Sequence, residues 1–215
     1  MYKVKICGIR EERHLQAAIN GGASYIGFVF FEKSRRNVSI QTAQALARNV
    51  PDDVKRVALV VNPFDEQIQK IIESVPVDML QLHGNETIER VQKVKDLTQL
   101  PVIKAIGVSS KKDLKFVRKY EMVADQILLD AKPPAEASVP GGLGKSFNWS
   151  ILSEFQCTIP WLLAGGLTSE NVRLAAKMTG AKQFDVSSGV EDDFGTKTEK
   201  KISQFIETLK GDLNE

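Results

Sequence analysis

At 215 residues, 42% hydrophobic and 26% charged, the chain has the make-up of an ordinary folded protein, which excludes disordered and fibrous classes. A formal net charge of +2, with basic and acidic residues interspersed, argues against nucleic acid or an anionic membrane as a partner. No apolar run approaches the roughly 20 residues that span a bilayer. The two cysteines, Cys7 and Cys157, form no CxxC or Cys/His cluster, so neither a zinc site nor a disulfide framework is expected and a reducing cytoplasm is the default.

The opening segment, MYKVKICGI, is too short and too interrupted by charge for a signal peptide and reads as a first strand, Val4 to Cys7. A helical segment begins near Glu11, and Gly22 stands where a helix-to-strand turn favours positive φ. Strands follow at Tyr25 to Phe30, Arg56 to Val61, Asp78 to Leu82, Val102 to Ile106, Gln126 to Asp130, Trp161 to Gly165 and Gln183 to Ser188. Between and after them, helices are expected from near Ile40, Asp65, Asn85, Ser110, Asn148, Ser169 and Thr196. Asn62–Pro63, Ser110 and Thr168–Ser169 serve as start signals, and Gly180 as a stop.

Eight strand–helix pairs predict an α/β fold, a (β/α)₈ barrel occupying residues 1–215 as one domain. The alternative, an open doubly wound sheet, would call for a GxGxxG turn after the first strand, where this chain has Cys7–Gly8–Ile9–Arg10. One long Pro- and Gly-rich stretch, Ala131 to Lys145, follows the sixth strand and is expected to act as a lid.

In such barrels the chemistry sits at the C-terminal ends of the strands. Unusual polar groups recur there: Cys7, the loop from Lys33 to Arg36, Gln81 to His83, Lys104, Asp130, and Asp185 ahead of Ser187–Ser188–Gly189. An acid ending an apolar strand is costly to bury without a task or a partner. Each has a plainer alternative: Cys7 as a small buried hydrophobe, Asp130 as a turn cap, Lys104 as half of a structural ion pair, Arg36 as a surface charge, His83 as a strand-end shaper. Glycines after the last two strands, Gly165–Gly166 and Gly189 with Ser187–Ser188, suit a phosphate site, because bare backbone N–H groups can approach the anion there.

The succession VKICGI, YIGFVF with KSRRNV, QLHG, ILLD, GGLGKSFNW, LAGGL and FDVSSGVE resembles the phosphoribosylanthranilate isomerase family over nearly the whole length. The resemblance implies that Cys7 is the general base and Asp130 the general acid of an Amadori rearrangement in tryptophan biosynthesis. It also implies that Arg36 and Asp185 bind substrate, and that Gly165, Gly166, Ser187, Ser188 and Gly189 form the phosphate site. No cofactor and no metal is implied, and the partner is a small phosphorylated molecule; a monomer is expected.

The chemistry asks for a thiolate from a group whose reference pKa is about 8.5, and Arg36 is a candidate to favour it. It also asks for a proton on Asp130, which burial favours. Cys7 and Asp130 are expected on neighbouring sectors of the rim. Three positions depart from the family pattern. Arg35 stands where proline is usual, leaving two candidates for the arginine that faces the substrate; Leu143 replaces threonine, and Asn148 replaces aspartate. The histidine-pathway isomerase, which has aspartate at the position of Cys7, and an epimerase needing a metal cluster are the rival enzymes. A barrel that binds a phosphosugar without turning it over is the rival from another class.

Overall fold

Eight parallel strands hydrogen-bond in the cyclic order β1-β2-β3-β4-β5-β6-β7-β8 and close into a barrel in the computed structural model. The structure describes residues 2–134, 136, 139–142, 144 and 146–211. The strands are β1 (Lys3–Cys7), β2 (Tyr25–Phe30), β3 (Lys55–Val60), β4 (Met79–Leu82), β5 (Val102–Val108), β6 (Gln126–Ala131), β7 (Trp161–Leu163) and β8 (Gln183–Val186). Around them lie α1 (Glu12–Gly21), α2 (Ile40–Ala47), α3 (Asp65–Ser74), α4 (Ile88–Thr98), α5 (Leu114–Tyr120), α6 (Val172–Thr179) and α7 (Glu199–Lys210).

The helix expected from Asn148 is instead a single 3₁₀ turn, Trp149–Leu152. Its apolar content explains the difference: Trp149 and Leu152 are buried, but Ser153 and Glu154 behind them are exposed, so one turn covers the gap between β6 and β7. Asn148 caps that turn by accepting the Ser150 N–H at 3.1 Å, a task aspartate would perform equally, so this departure leaves the local structure intact. Leu143, the other departure, and Ala135, Ala137, Ser138 and Lys145 of the expected lid lie outside the described residues.

Other start signals were displaced by a few residues. The segment at Ser110 becomes helical only at Leu114, because Asp113 accepts four bonds from Ser109 and Ser110 and fixes a turn there. Asn62 does not cap α3; its side chain accepts the Asn85 N–H in the neighbouring loop. Gly22 and Gly180 end α1 and α6 at φ +86° and +69°, as expected.

Strand periodicity divides the core in two. Val4 and Ile6 of β1, Leu80 and Leu82 of β4, Ile127 and Leu129 of β6 and Phe184 and Val186 of β8 face outward into the layer beneath the helices. The alternate residues fill the barrel: Tyr25, Val57, Met79, Ile103, Leu128 and Leu162 pack its lower interior. Full burial of each such side chain contributes about 1.5–3 kcal/mol. Above this plug the inward positions turn polar, with Lys5, Gln81 and Asp185 buried. The change from apolar to polar filling sets where the site begins.

Candidate active site

A cavity opens at the C-terminal ends of the strands. Its walls include Cys7 from β1, Arg36 from the loop after β2, His83 after β4, Asp130 from β6, Gly165 and Gly166 after β7, and Asp185, Ser187 and Ser188 of β8 and its loop. Strand geometry puts them there. Cys7 follows Lys5 by two residues, His83 follows Gln81, Asp130 follows Leu128 and Ser187 follows Asp185, so each pair shares an inward face. Cys7 and Asp130 are not on neighbouring sectors as expected: β7 and β8 stand between their strands, so the two groups address the cavity from different sides.

Cys7 is 4% exposed, and burial pushes its thiol above the ordinary range, partly offset by Lys5. Arg36, the expected activator, is engaged elsewhere. Its Nε donates to Glu191 Oε1 at 2.6 Å and its Nη2 to Glu191 Oε2 at 2.9 Å, a bidentate pair, and Nη2 also reaches Gly142 O at 3.1 Å. The cations that bear on the sulfur are Lys5 and Lys197. This geometry also separates the two arginines: Arg36 is buried on the cavity wall, whereas Arg35 is exposed and reaches Glu191 from outside, at 2.8 Å. Burial alone would push Glu191 up, but Arg36, Lys197 and Arg35 hold it below the usual carboxylate range. Burial lowers Lys197 to about 8, against the pull of Glu191.

Asp130 accepts the Ala131 N–H at 2.8 Å through Oδ1, and its Oδ2 faces His83 Nε2. Asp185 does not face the cavity alone: Lys5 Nζ donates to its Oδ1 at 2.9 Å, and Lys5 is fully buried. Ser187 is partly committed, since its hydroxyl donates to Cys7 O at 2.9 Å and ties the end of β8 to the end of β1. Gly189 is not part of the cavity wall. A Cβ there would lie 1.8 Å from Leu167 O, so this glycine lets the loops after β7 and β8 touch. Asn171 shapes the first of those loops, accepting from Thr168 N at 2.8 Å and donating to Gly166 O at 2.9 Å.

Lys104 proves structural. It donates to Glu86 Oε2 at 2.9 Å and to three backbone carbonyls, those of Leu82, Gly84 and Ala105, which uses up an ammonium's capacity without reaching the cavity. Among the described residues, no group of three or more His, Cys, Asp or Glu side chains is placed to hold a metal ion, and no helix is long and apolar enough to cross a membrane.

Residues 4–208 match the family model of N-(5'-phosphoribosyl)anthranilate isomerase. The chain belongs to that family. It is 49% identical over 208 residues to the N-(5'-phosphoribosyl)anthranilate isomerase of Cereibacter sphaeroides, covering 97% of this chain and 98% of the relative. A crystal structure of the isomerase from Thermotoga maritima, 38% identical, superposes with a TM-score of 0.87 over 98% of this chain and all of the other. Another phosphoribosylanthranilate isomerase structure, 35% identical with a TM-score of 0.83 and the same coverage, holds reduced 1-(o-carboxyphenylamino)-1-deoxyribulose 5-phosphate.

For an isomerase that must move protons, three site residues were not evident beforehand. Lys5 and Glu191 were missed, although each lies in a quoted motif, the lysine of VKICGI and the last residue of FDVSSGVE. Period two would have exposed Lys5, which shares the inward face of Cys7. Lys197 carries no sequence signal, because only the fold brings its loop back beneath Ser187, whose carbonyl it reaches at 3.1 Å.

Proposed function

We propose that Asp130 and Cys7 act as general acid and general base in the isomerisation from which the family takes its name. That step of tryptophan biosynthesis is an Amadori rearrangement, converting N-(5'-phosphoribosyl)anthranilate to 1-(2-carboxyphenylamino)-1-deoxyribulose 5-phosphate. The observation that carries the roles is that the Cys7 thiol and the Asp130 carboxyl, the lining acid not paired with a lysine, enter the same cavity from different sides, with the glycine and serine loops after β7 and β8 between them.

The substrate phosphate is held by the loops around Gly165–Gly166 and Ser187–Ser188, where backbone N–H groups are accessible to an anion. Gly189 contributes by keeping those loops together. Arg36, braced by Glu191, takes the anthranilate carboxylate through Nη1, the nitrogen that carries neither the Glu191 nor the Gly142 bonds. Asp185 binds a sugar hydroxyl.

Asp130 delivers its proton to the ring oxygen, the C1–O bond breaks, and the nitrogen lone pair forms the C1=N iminium. Cys7 thiolate then removes the C2 proton; those electrons form the C1=C2 bond and neutralise the nitrogen. The enolamine gains a proton at C1 and loses one from the C2 hydroxyl, giving the ketone. Two segments within the expected lid, Lys132 to Pro134 and Val139 to Gly142, wall the same cavity and suit exclusion of water from the iminium.

The barrel is taken as the chain's one domain, monomeric and cytoplasmic. Of its exposed large apolar side chains, Phe64, Phe116, Met122 and Phe194 belong to different segments, and Leu174 and Met178 stand one turn apart on α6. Light scattering on a size-exclusion column tests the monomer, and a dimer mass would overturn it.

Steady-state assays by the fluorescence of phosphoribosylanthranilate test the chemistry. Asp130→Asn and Cys7→Ala should each lower kcat by about 10²–10⁴, with KM much less changed. C2-deuterated substrate should show a full primary isotope effect in Cys7→Ala, where C–H cleavage limits, and an effect near unity in Asp130→Asn, where ring opening limits. The opposite pattern exchanges the roles, and normal turnover in either variant removes that residue from the mechanism.

A further inference from the structure

A thiol that is to take a proton must first lose its own, and burial at the end of β1 works against that. The charged and titratable groups around Cys7 are Lys5 on its own strand, Asp185 on β8, Lys197 from the segment before α7, and Arg36, His83 and Asp130 elsewhere on the cavity wall. Arg36 is engaged by Glu191, and Lys197 by Glu191 and Ser187. Lys5 remains.

Its ammonium is fully buried two residues before Cys7, on the same inward face, and its Nζ donates to Asp185 Oδ1 at 2.9 Å. On β2, the residue paired with Cys7 is Gly27, which leaves the space between strands open to both groups. A Cβ at Gly27 would lie 3.0 Å from Cys7 Sγ and 3.1 Å from Lys5 Nζ. Sulfur and nitrogen therefore stand within about 6 Å of each other, inside the range over which an opposite charge favours ionisation. A barrel filled for stability alone would continue the apolar packing of Tyr25, Val57 and Met79 into this position, since a buried ion pair is weak evidence of stabilisation.

We propose that Lys5 is the positioning residue of the base: its buried ammonium, anchored by Asp185, faces the Cys7 sulfur and favours the thiolate that removes the substrate's C2 proton. The inference rests on Cys7 being the base. In the resting site the Cys7 proton leaves to solvent through the open cavity, the charge on sulfur is balanced by Lys5, and the sulfur regains a proton from C2 during turnover. Asp185 has two consequences here: it keeps Lys5 charged, and its own charge opposes the thiolate.

The test reads ionisation directly and separately from turnover. Iodoacetamide labelling across a pH series, followed peptide by peptide, gives the rates at Cys7 and Cys157; burial pushes the Cys157 thiol up to about 11, which makes it an internal reference. In Lys5→Met the Cys7 rate at neutral pH should fall at least about tenfold and its midpoint move up by about one pH unit or more, with Cys157 unchanged. Lys5→Arg should recover part of the loss. A merely structural lysine would loosen the barrel and speed labelling. Should Lys5→Met fail to fold, Cys7→Ser provides the reciprocal measurement: the Lys5 side-chain carbon resonance should titrate at lower pH once the thiolate is gone. Unchanged or faster Cys7 labelling in folded Lys5→Met, or an unmoved Lys5 titration in Cys7→Ser, overturns the proposal. Full turnover by Cys7→Ala would instead remove the base assignment while leaving the labelling result standing.

Discussion

His83 Nε2 lies 3.3 Å from Asp130 Oδ2, and its other ring nitrogen, Nδ1, lies 2.9 Å from the Gln81 amide nitrogen. Two proton arrangements fit these positions. With the Gln81 amide donating to Nδ1, the ring carries its proton on Nε2 and offers it to an Asp130 carboxylate. With the amide turned by half a revolution, Nδ1–H donates to Gln81 Oε1, an atom otherwise buried without a partner among the described residues, and Nε2 accepts from a protonated Asp130. The second is the arrangement a general acid needs. His83→Asn keeps a group able to bond Oδ2, whereas His83→Leu does not. The leucine variant should lose roughly 10- to 100-fold in kcat and the asparagine variant less, with KM little altered, in steady-state assays. Equal kcat for both variants and the parent would make His83 a bystander.

The bidentate pair between Arg36 and Glu191 predicts discrimination at the aromatic end of the substrate. Arg36→Met should raise KM for the anthranilate substrate by roughly 10- to 100-fold, the usual worth of a charge-assisted hydrogen bond. It should barely affect an aniline analogue lacking the carboxylate. Glu191→Gln should move in the same direction by a smaller factor, because the arginine is kept but its brace is weakened. Comparing kcat/KM for the two substrates in each variant checks this, and a parallel loss on both substrates refutes it.

Gly166 has φ +63° and stands on the cavity wall. Gly166→Val would add a branched side chain at the proposed phosphate site and strain the loop as well. KM should rise at least about tenfold, and inhibition by inorganic phosphate should weaken in parallel. Normal phosphate inhibition in a folded variant would place the anion elsewhere.

Asp113 makes a prediction about acid. Burial alone would raise its carboxyl, but the N–H and hydroxyl groups of Ser109 and Ser110 and the Lys132 ammonium hold it well below the usual carboxylate range. A depressed folded value means that the contribution to stability is fully present above the unfolded value of about 3.9 and is lost as pH falls through the folded one. Asp113→Asn should cost about 1 kcal/mol at pH 7, and the gap from the parent should narrow below pH 4. Urea unfolding at pH 7, 5 and 3 measures both, and a gap that stays constant with pH would contradict the assignment.

The fold was legible because alternation of short β-branched strands with amphipathic helices is a local property, written in consecutive residues. The sixth helix failed for the same reason: the pattern at Asn148 begins like a helix but offers only one turn of apolar side chains. Cys7, Asp130 and Asp185 were legible because polar groups at strand ends break an apolar pattern. Lys5, Glu191 and Lys197 were not, since a charged residue inside a motif is indistinguishable from a surface charge until its partner is known. Those partners lie far off in the chain, Lys5 with Asp185 and Arg36 with Glu191, and the site's electrostatics reside in such long-range pairs. Arg36 lies on the cavity wall, but its bidentate bond to Glu191 turns it away from the task of activating the thiol.

The strand that bears Cys7 is hydrogen-bonded on one side to β2 and on the other to β8. Of the barrel's strands it is therefore the first to be synthesised and the last to be completed. Until Gln183–Val186 emerges, β1 presents an open edge, Lys5 lacks its counter-charge, and the hydroxyl of Ser187 that ties down the Cys7 carbonyl does not yet exist. A nascent chain stalled before β8 holds most of the barrel's helices and a thiol that has its β2 and β3 neighbours but lacks Asp185 and Ser187. The contacts that complete the surroundings of the thiol thus wait for β8, the last strand of the barrel.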